Sequence, residues 1–378
     1  MTPTEIVEYF ERRRDAVLES IRDIVEFESP SFDCERSSKV VSWIEKKFHD
    51  LPVDLMTERV FAEGVGEHIL IRAFQSTEKH FFLLGHTDTV HPVGTRADNP
   101  TRIEGDKFYG CGIFDMKANI VLMLECLRHF AETGKSPLRP INILLSCDEE
   151  VGSATGRPLV EREAANAAAC FVFEPSFDGM VKTGRKGTGM YSLRAHGIPA
   201  HAGLEPEKGA SAILELSHQI EKLHSLNAPE VGTTVNVCTI KGGTTMNVIP
   251  EHAECSVDVR FSTVAEAERI DAAICSLSPV DPRVTLDVSG GINRPPMERT
   301  GAVIALYEKA RDLASSFDYT LGETQVGGAS DGNFVGALGV PVLDGLGVAG
   351  AGAHTLREHV LVSDIAKRAA LITLLLIN

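Results

Sequence analysis

Seven acidic and histidine side chains, spread along the chain, are of the types that bind divalent metal ions. They are His86, Asp88, Asp115, Glu149, Glu150, Glu174 and His354. Imidazole and carboxylate ligands without thiolates suit catalytic Zn²⁺, and also Mn²⁺ or Co²⁺. A catalytic zinc ion keeps three protein ligands and an open position, so this set is too large for one ion. It fits two ions that share a carboxylate, which together polarise a carbonyl and acidify a shared water molecule.

Taken singly, each of these residues also has a plain structural interpretation. His86 could be hydrogen-bonded within a turn, and Asp115 could cap the helix that follows it. The run Asp148–Glu150 could be a solvated turn, Glu174 could end a strand, and His354 could be one of 13 mostly structural histidines. Their joint placement favours the metal site, because each follows an apolar strand or a glycine-rich loop.

Three apolar runs of β type end where these polar residues begin. The runs are Phe81–Leu84, Ile141–Leu145 and Cys170–Phe173, and continuous apolar strands are typical of a sheet that is covered on both faces. Between the first two, apolar residues at helical spacing predict a helix over about 120–130 that ends near Gly134. Ligands of open α/β sheets bind at the carboxyl ends of the strands, so we expect the polar clusters to face one crevice.

From about residue 187 the pattern changes to shorter strands that alternate between apolar and polar residues. These are centred on Tyr191–Ala195, Val235–Val237, Cys255–Phe261 and Val284–Val288. Two helical stripes lie between them, the first formed by Ile213, Leu216, Ile220 and Leu223, the second by Ala265, Ile270 and Ile274. This βαββαβ order predicts a ferredoxin-like α+β domain. We therefore expect an α/β catalytic domain in two parts, 1–186 and 292–378, with a second domain, 187–291, inserted between them.

The composition excludes several classes of function. The 378 residues include 37 Lys and Arg and 53 Asp and Glu, which gives a formal net charge of −16. This negative charge argues against nucleic-acid binding. The eight cysteines show no close pairing, which favours free thiols in a reducing compartment. No signal sequence is visible, and the longest apolar stretch, Leu371–Ile377, is far too short to span a bilayer. We expect a cytoplasmic protein with neither a nucleic-acid nor a membrane partner.

Five sequence blocks carry a resemblance to a known family. They are Gly85–Val90, Gly110–Lys117, Asp148–Gly152, Phe173–Pro175 and Gly352–His354. Together they resemble the signature blocks of the M20 di-zinc metallopeptidases, which include aminoacylases, acetylornithine deacetylase and succinyl-diaminopimelate desuccinylase. Further segments are most similar to the carboxypeptidase G (glutamate carboxypeptidase) branch, namely Ala200–Gly203, Asn247–Pro250, Asp258–Phe261 and Arg294–Pro295.

The resemblance implies two zinc ions per subunit and assigns five ligands to them. His86 and Glu174 would bind one ion, and Glu150 and His354 the other. Asp115 would bridge the two ions, and Co²⁺ or Mn²⁺ are substitutes that suit the same ligands. The resemblance also implies a catalytic domain with a mixed sheet and helices on both faces. The inserted domain would act as a lid and join two subunits into a homodimer.

Three further residues receive catalytic roles from this resemblance. Asp88 would orient the ring of His86. Glu149 would be the general base that takes a proton from the bridging water, on the view that adjacent carboxylates of an extended segment point to different sides. His201 would reach an active site across the dimer interface and stabilise the oxyanion, whereas its plain alternative is a surface histidine. The peptide between Asp115 and Met116 is commonly cis in this family.

Substrate recognition is assigned to five polar residues. Arg260, Arg294 and Asn247 resemble family positions that bind the free α-carboxylate of the substrate, a task suited to the guanidinium group. For Arg260, an ion pair with a neighbouring acid on an exposed strand is an equal alternative. Lys182 and Arg185 lie near the junction of the two domains, where they could favour a second carboxylate such as that of glutamate.

The leading hypothesis is a zinc amidase or exopeptidase that releases an amino acid with a free α-carboxylate from an acyl or peptidyl group. The alternative within the same chemistry is a small-acyl deacylase of the acetylornithine or succinyl-diaminopimelate type. From a different class, a non-catalytic binding relative remains open, although the presence of Glu149 and all five ligands argues against it. A metal-independent hydrolase has little support, since Ser330 does not lie in a Gly-x-Ser-x-Gly elbow.

Overall fold

The chain forms two structural units in the computed structural model, which describes residues 1–378. The first unit comprises residues 1–184, 299–325 and 330–378, and the second comprises 185–298 and 326–329. The second unit is therefore inserted between parts of the first along the sequence. The predicted division into a catalytic domain, 1–186 and 292–378, and an inserted domain, 187–291, stays a prediction.

Helices and strands are numbered here in chain order. The helices are α1 Pro3–Arg12, α2 Arg14–Val25, α3 Cys34–His49, α4 Thr95–Asp98, α5 Ala118–Thr133, α6 Arg157–Ala164, α7 Ala212–Ser225, α8 Val264–Cys275, α9 Gly301–Ser315, α10 Gly332–Ala337 and α11 Val362–Ile377. The strands are β1 Leu55–Ala62, β2 Gly66–Ala73, β3 His80–His86, β4 Arg102–Glu104, β5 Lys107–Tyr109, β6 Ile141–Ser146, β7 Ala167–Val172, β8 Val181–Arg185, β9 Gly187–His196, β10 Ala200–His201, β11 Thr234–Gly242, β12 Val248–Ile249, β13 His252–Phe261, β14 Thr285–Arg294, β15 Glu323–Val326, β16 Val342–Leu343, β17 Gly350–Ala351 and β18 His359–Leu361.

A mixed six-stranded sheet organises the first unit, in the order β1-β2-β6-β3-β7-β16. The strands β6, β3, β7 and β16 are parallel, and β1 and β2 add an antiparallel edge. Phe81 and Leu83 pack into the core that includes α5 and α11, while the alternate residues Phe82 and Leu84 are equally buried. Because α6 and α10 contact β7, helices cover both faces, which confirms the predicted fold class and explains the continuous apolar runs.

Helix α5 follows β5 and lies deep in the core. It ends at Gly134, whose φ of 67° is the left-handed conformation that glycine adopts at helix ends, as the sequence predicts. The helix is buried nearly all round rather than along one stripe. Its Asn119 donates hydrogen bonds to the carbonyl oxygens of Phe114 and Phe173 and accepts one from the amide of Val348. Helix α5 therefore fixes three loops at one end of the sheet.

The second unit is a four-stranded antiparallel sheet in the order β11-β13-β9-β14, with helices α7 and α8 packed against it. The chain order and the sheet order are those of the predicted ferredoxin-like domain. The predicted stripe of α7 is wrong in part, since Ile213 is 41% exposed. Glu215 and Gln219 are buried there instead, because the Glu215 carboxylate accepts hydrogen bonds from the amides of Val280 and Asp281.

No helix is long and apolar enough to cross a membrane. All eight cysteines are free, as the sequence predicts, and five of them are buried.

Candidate metal centre

Three parallel strands deliver the first group of predicted ligands to one edge of the sheet. Strand β3 ends at His86, which is in register with Ser146 at the end of β6. The turn Glu149–Val151 follows β6, and Glu174 follows β7 by two residues. Since parallel strands end at a common edge, these side chains converge there.

Two loops bring Asp115 and His354 to the same edge. The irregular turn Ile113–Lys117 leads into α5 and places the Asp115 carboxylate between two imidazole rings. One carboxylate oxygen, Oδ1, lies 3.0 Å from Nε2 of His86, and the other, Oδ2, lies 3.3 Å from Nε2 of His354. The Asp115–Met116 peptide is cis, as the resemblance implies.

A second carboxylate approaches the same nitrogen of each imidazole that faces Asp115. Oε1 of Glu174 lies 3.5 Å from Nε2 of His86, and Oε2 of Glu150 lies 3.2 Å from Nε2 of His354. The structure thus brings all five predicted ligands together as two pairs with Asp115 between them. Donor atoms of His86, Asp115 and Glu150 fall within 4.8 Å of one another, so the two pairs adjoin at Asp115.

The donor set fits divalent cations in both charge and hydrogen bonding. Burial lowers the pKa of His86, but hydrogen bonds to Asp115 and Asp88 outweigh burial and raise it well above the usual value. Hydrogen bonds to Asp115 and Glu150 raise the pKa of His354 to about 10. The cluster of carboxylates therefore stabilises positive charge at this site. Divalent ions supply that charge when they displace the protons from the imidazole rings. Oε1 of Glu150 is buried without a hydrogen-bond partner, so a ligand position is left for a cation.

Asp88 connects the ring of His86 to the turn after β6. Nδ1 of His86 donates to the carbonyl oxygen of Asp88 at 2.9 Å, which leaves Nε2 to face Asp115. The buried Asp88 carboxylate accepts hydrogen bonds from the amides of Glu149 and Glu150, each at 3.2 Å, and from the Ser31 hydroxyl at 2.7 Å. This placement agrees with an orienting role for Asp88.

Glu149 lies beside the cluster, on a turn rather than on the predicted extended segment. The turn forms because Asp148 accepts hydrogen bonds from Thr155 and Gly156, and because Gly152 takes a φ of 100°. The Glu149 carboxylate nevertheless groups with His86 and Glu174, whereas that of Glu150 faces His354. The Glu150 carboxylate also groups with His86, so both neighbouring carboxylates lie close to that ring, and that of Glu150 lies close to His354 as well.

Two residues next to the ligands were missed from the sequence. Glu358 is completely buried, and its Oε2 accepts a hydrogen bond from Nε2 of His91 at 2.7 Å. Each follows a predicted ligand closely, Glu358 by four residues after His354 and His91 by five after His86. That proximity along the chain was the only available signal.

His201 and Asn247 lie together in the second unit. The short strands β10 and β12 pair, and the Ala202 amide donates to the carbonyl oxygen of Asn247 at 2.9 Å. Nδ1 of the exposed His201 accepts hydrogen bonds from the amides of Gly203 and Leu204. Nε2 therefore carries the ring hydrogen and is the nitrogen that can donate to a substrate.

The predicted substrate-binding cations are all engaged within the protein. Arg260 pairs with Asp258 on the same strand, through contacts of 3.0 and 2.8 Å, which is the alternative that the sequence left open. Arg185 donates to the carbonyl oxygens of Gly328 and Ala329. The remaining two, Lys182 on β8 and Arg294 at the end of β14, are buried. The roles of these cations toward substrate stay predictions.

A mixed α/β sheet whose strand ends gather two histidines and several carboxylates defines a class, the metal-dependent α/β hydrolases. The chain belongs to peptidase family M20/M25/M40, whose profile matches residues 82–378. This confirms the predicted family and the assignment as a metallopeptidase or amidohydrolase.

Relatives agree with this assignment over most of the chain. Carboxypeptidase G2 of Pseudomonas sp. (strain RS-16) is 30% identical over 362 residues, which cover 93% of this chain and 86% of the relative. A succinyl-diaminopimelate desuccinylase of Halorhodospira halophila is 29% identical over 82% of this chain and 88% of its own. The solved structure of aminopeptidase PepT from Bacillus cereus covers 96% of this chain and 98% of its own, with a TM-score of 0.76 and 22% identity, and supports the fold alone.

Proposed function

We propose that the protein is a di-zinc hydrolase that cleaves the amide bond between an acyl or peptidyl group and an amino acid with a free α-carboxylate. The observation that carries this proposal is the Asp115 carboxylate, whose two oxygens face the rings of His86 and His354. The similarity to carboxypeptidase G2 supports an amino acid as the released product, with glutamate as the first candidate.

Five residues would hold the two ions. His86 and Glu174 would bind one, Glu150 and His354 the other, and Asp115 both. Zinc fits these nitrogen and oxygen donors, and Co²⁺ or Mn²⁺ are expected to substitute. When bound, the two ions would polarise the amide carbonyl and lower the pKa of the attacking water.

Glu149 is the proposed general base. Its carboxylate lies in the same donor group as His86 and Glu174, so a proton taken from the attacking water has a short path to it. The same carboxylate then delivers this proton to the departing nitrogen, and Asp88 keeps both the Glu149 turn and the ring of His86 in place.

Residues outside the metal centre would complete substrate binding. Nε2–H of His201 would donate to the oxyanion across the dimer interface, as the family resemblance implies. Arg260, Arg294 and Asn247 would bind the α-carboxylate, and Arg260 would exchange Asp258 for the substrate when it does so. Lys182 and Arg185 would favour a second carboxylate on the released amino acid.

A homodimer through the second unit is part of the proposal. Strand β11 is an edge of its sheet, and Ile240 on this strand is 55% exposed. Leu214 and Ile213, on the neighbouring helix α7, are also exposed. An open edge beside an apolar surface is suited to pairing with a second copy.

A cytoplasmic location is proposed from the eight free cysteines.

The experiment is a substrate panel with chelation and metal add-back. We expect a chelator to abolish hydrolysis and Zn²⁺ or Co²⁺ to restore it, with higher kcat/KM for N-acylglutamates than for N-acetylornithine. The reverse preference would support the small-acyl deacylase, which the similarity to succinyl-diaminopimelate desuccinylases favours. No hydrolysis of any substrate after add-back would support the binding relative, and chelator-resistant activity would refute the metal mechanism.

A further inference from the structure

The buried carboxylate of Glu358 makes four hydrogen bonds around the turn that carries Asp115. Its Oε1 accepts from the amides of Phe114 and Asp115, both at 2.9 Å. Its Oε2 accepts from the Gly112 amide at 2.9 Å and from Nε2 of His91 at 2.7 Å.

These contacts fix the carboxylate in one orientation. A carboxylate offers about four acceptor positions, and here each oxygen receives two donors. Glu358 is 0% exposed, and burial of a carboxylate is costly unless hydrogen bonds compensate for it. Any displacement of the turn would leave a buried charge or a buried amide without a partner, so the position of the turn is strongly constrained.

Glu358 also joins three segments that carry predicted metal ligands. It lies four residues after His354, it accepts from the amide of Asp115 itself, and its partner His91 lies five residues after His86. We propose that Glu358 is a positioning residue for the metal centre. By holding the Asp115 turn against the other two segments, it sets the affinity for both ions.

This inference rests on the metal centre of the proposed function, and metal binding tests it independently of catalysis. The variant is Glu358→Gln, which keeps the shape but leaves one acceptor oxygen and turns an NH₂ group toward N–H donors. We expect Co²⁺ to bind about 10- to 100-fold more weakly at both positions in chelator competition, as for other residues that orient ligands. We also expect a changed visible absorption spectrum of the bound Co²⁺.

Glu215 offers a matched control within the same chain. It is also a buried glutamate that accepts backbone hydrogen bonds, from Val280 and Asp281, but it lies in the second unit. A merely structural role for Glu358 predicts that Glu358→Gln and Glu215→Gln lower the melting temperature alike and leave Co²⁺ affinity unchanged. The positioning role predicts that only Glu358→Gln lowers Co²⁺ affinity.

The outcomes separate this inference from the proposed function. If the wild-type chain binds Co²⁺ tightly and the folded Glu358→Gln variant binds it equally well with the same spectrum, the positioning role is refuted. If the wild-type chain does not bind Co²⁺, the proposed centre and this inference both fail. If Glu358→Gln does not fold, the variant His91→Leu tests the positioning role instead. It removes the hydrogen bond from His91 to Glu358 and leaves the three amide contacts of Glu358. Weaker Co²⁺ binding in His91→Leu, restored in His91→Gln, supports the role, and unchanged binding refutes it.

Discussion

At the scale of single residues, Glu149 is the group whose chemistry is most sharply testable. Replacement of Glu149 by Gln removes the proton acceptor but keeps the Glu149 amide that donates to Asp88. We expect kcat to fall by about 10²- to 10⁴-fold, while two equivalents of metal remain bound. Steady-state kinetics and metal analysis of the same preparation measure both effects. A wild-type rate in Glu149→Gln would remove Glu149 from the mechanism.

Asp115 and Glu174 should differ in how many ions they hold. Because each Asp115 oxygen faces a different imidazole, Asp115→Ala is expected to weaken the binding of both ions. Glu174 lies 3.5 Å from Nε2 of His86, so Glu174→Ala should weaken the ion assigned to these two residues and spare the other. Calorimetric titration of the metal-free variants with Zn²⁺ shows whether one metal position or both have been weakened. Equal losses in the two variants would contradict a bridging Asp115.

At the scale of elements, helix α5 contains a histidine that should make stability depend on pH. His129 is 0% exposed, packs against Tyr9 and Phe10, and has no hydrogen-bond partner at either ring nitrogen. Burial lowers its pKa to about 4. The unfolded chain, with a histidine pKa near 6.5, therefore binds this proton more readily than the folded chain between pH 6.5 and 4. The stability contributed by neutral His129 is present above pH 6.5 and is lost as the pH falls toward 4.

The variant His129→Leu removes this titration and keeps an apolar side chain in place. As the pH drops from 7 to 4, we expect the free energy of unfolding to fall in both chains, but less in the variant. The difference between the two falls should be on the order of 2 kcal/mol. Urea unfolding of both chains in the presence of a chelator measures the difference without a contribution from metal loss. If the free energies of unfolding of the wild type and of His129→Leu change with pH in parallel, the pKa of His129 is not lowered as its burial indicates.

The same scale shows what the sequence can and cannot predict. The strand end at His86, the strand end just before Glu174 and the helix end at Gly134 follow from local patterns, because apolar runs and glycine depend on their own segments. Glu358 was missed because its role depends on contacts with amides more than 240 residues away along the chain. The inner face of α7 was misassigned because Glu215, a polar residue, is buried as the acceptor for a distant turn. The partner of Arg260 stayed open, because the sequence does not show whether an arginine meets Asp258 or a ligand.

At the scale of the whole molecule, the proposed homodimer predicts a specific response to a charge on α7. Leu214 is 58% exposed beside the edge strand β11. We expect the wild-type chain to sediment as a dimer and Leu214→Glu as a monomer with an unchanged circular dichroism spectrum. Leu338, 51% exposed in the first unit, provides the matched control, and Leu338→Glu should remain a dimer. A monomeric wild type would refute the dimer through the second unit.

The central claim is that two metal ions held around Asp115 are needed for amide hydrolysis. The most direct measurement is the rate at which metal-free protein releases glutamate from an N-acylglutamate as Zn²⁺ is added stepwise. The proposed centre predicts no activity without metal and a rise that saturates at about two equivalents per chain. Full activity in the metal-free protein, or saturation at one equivalent, would contradict it.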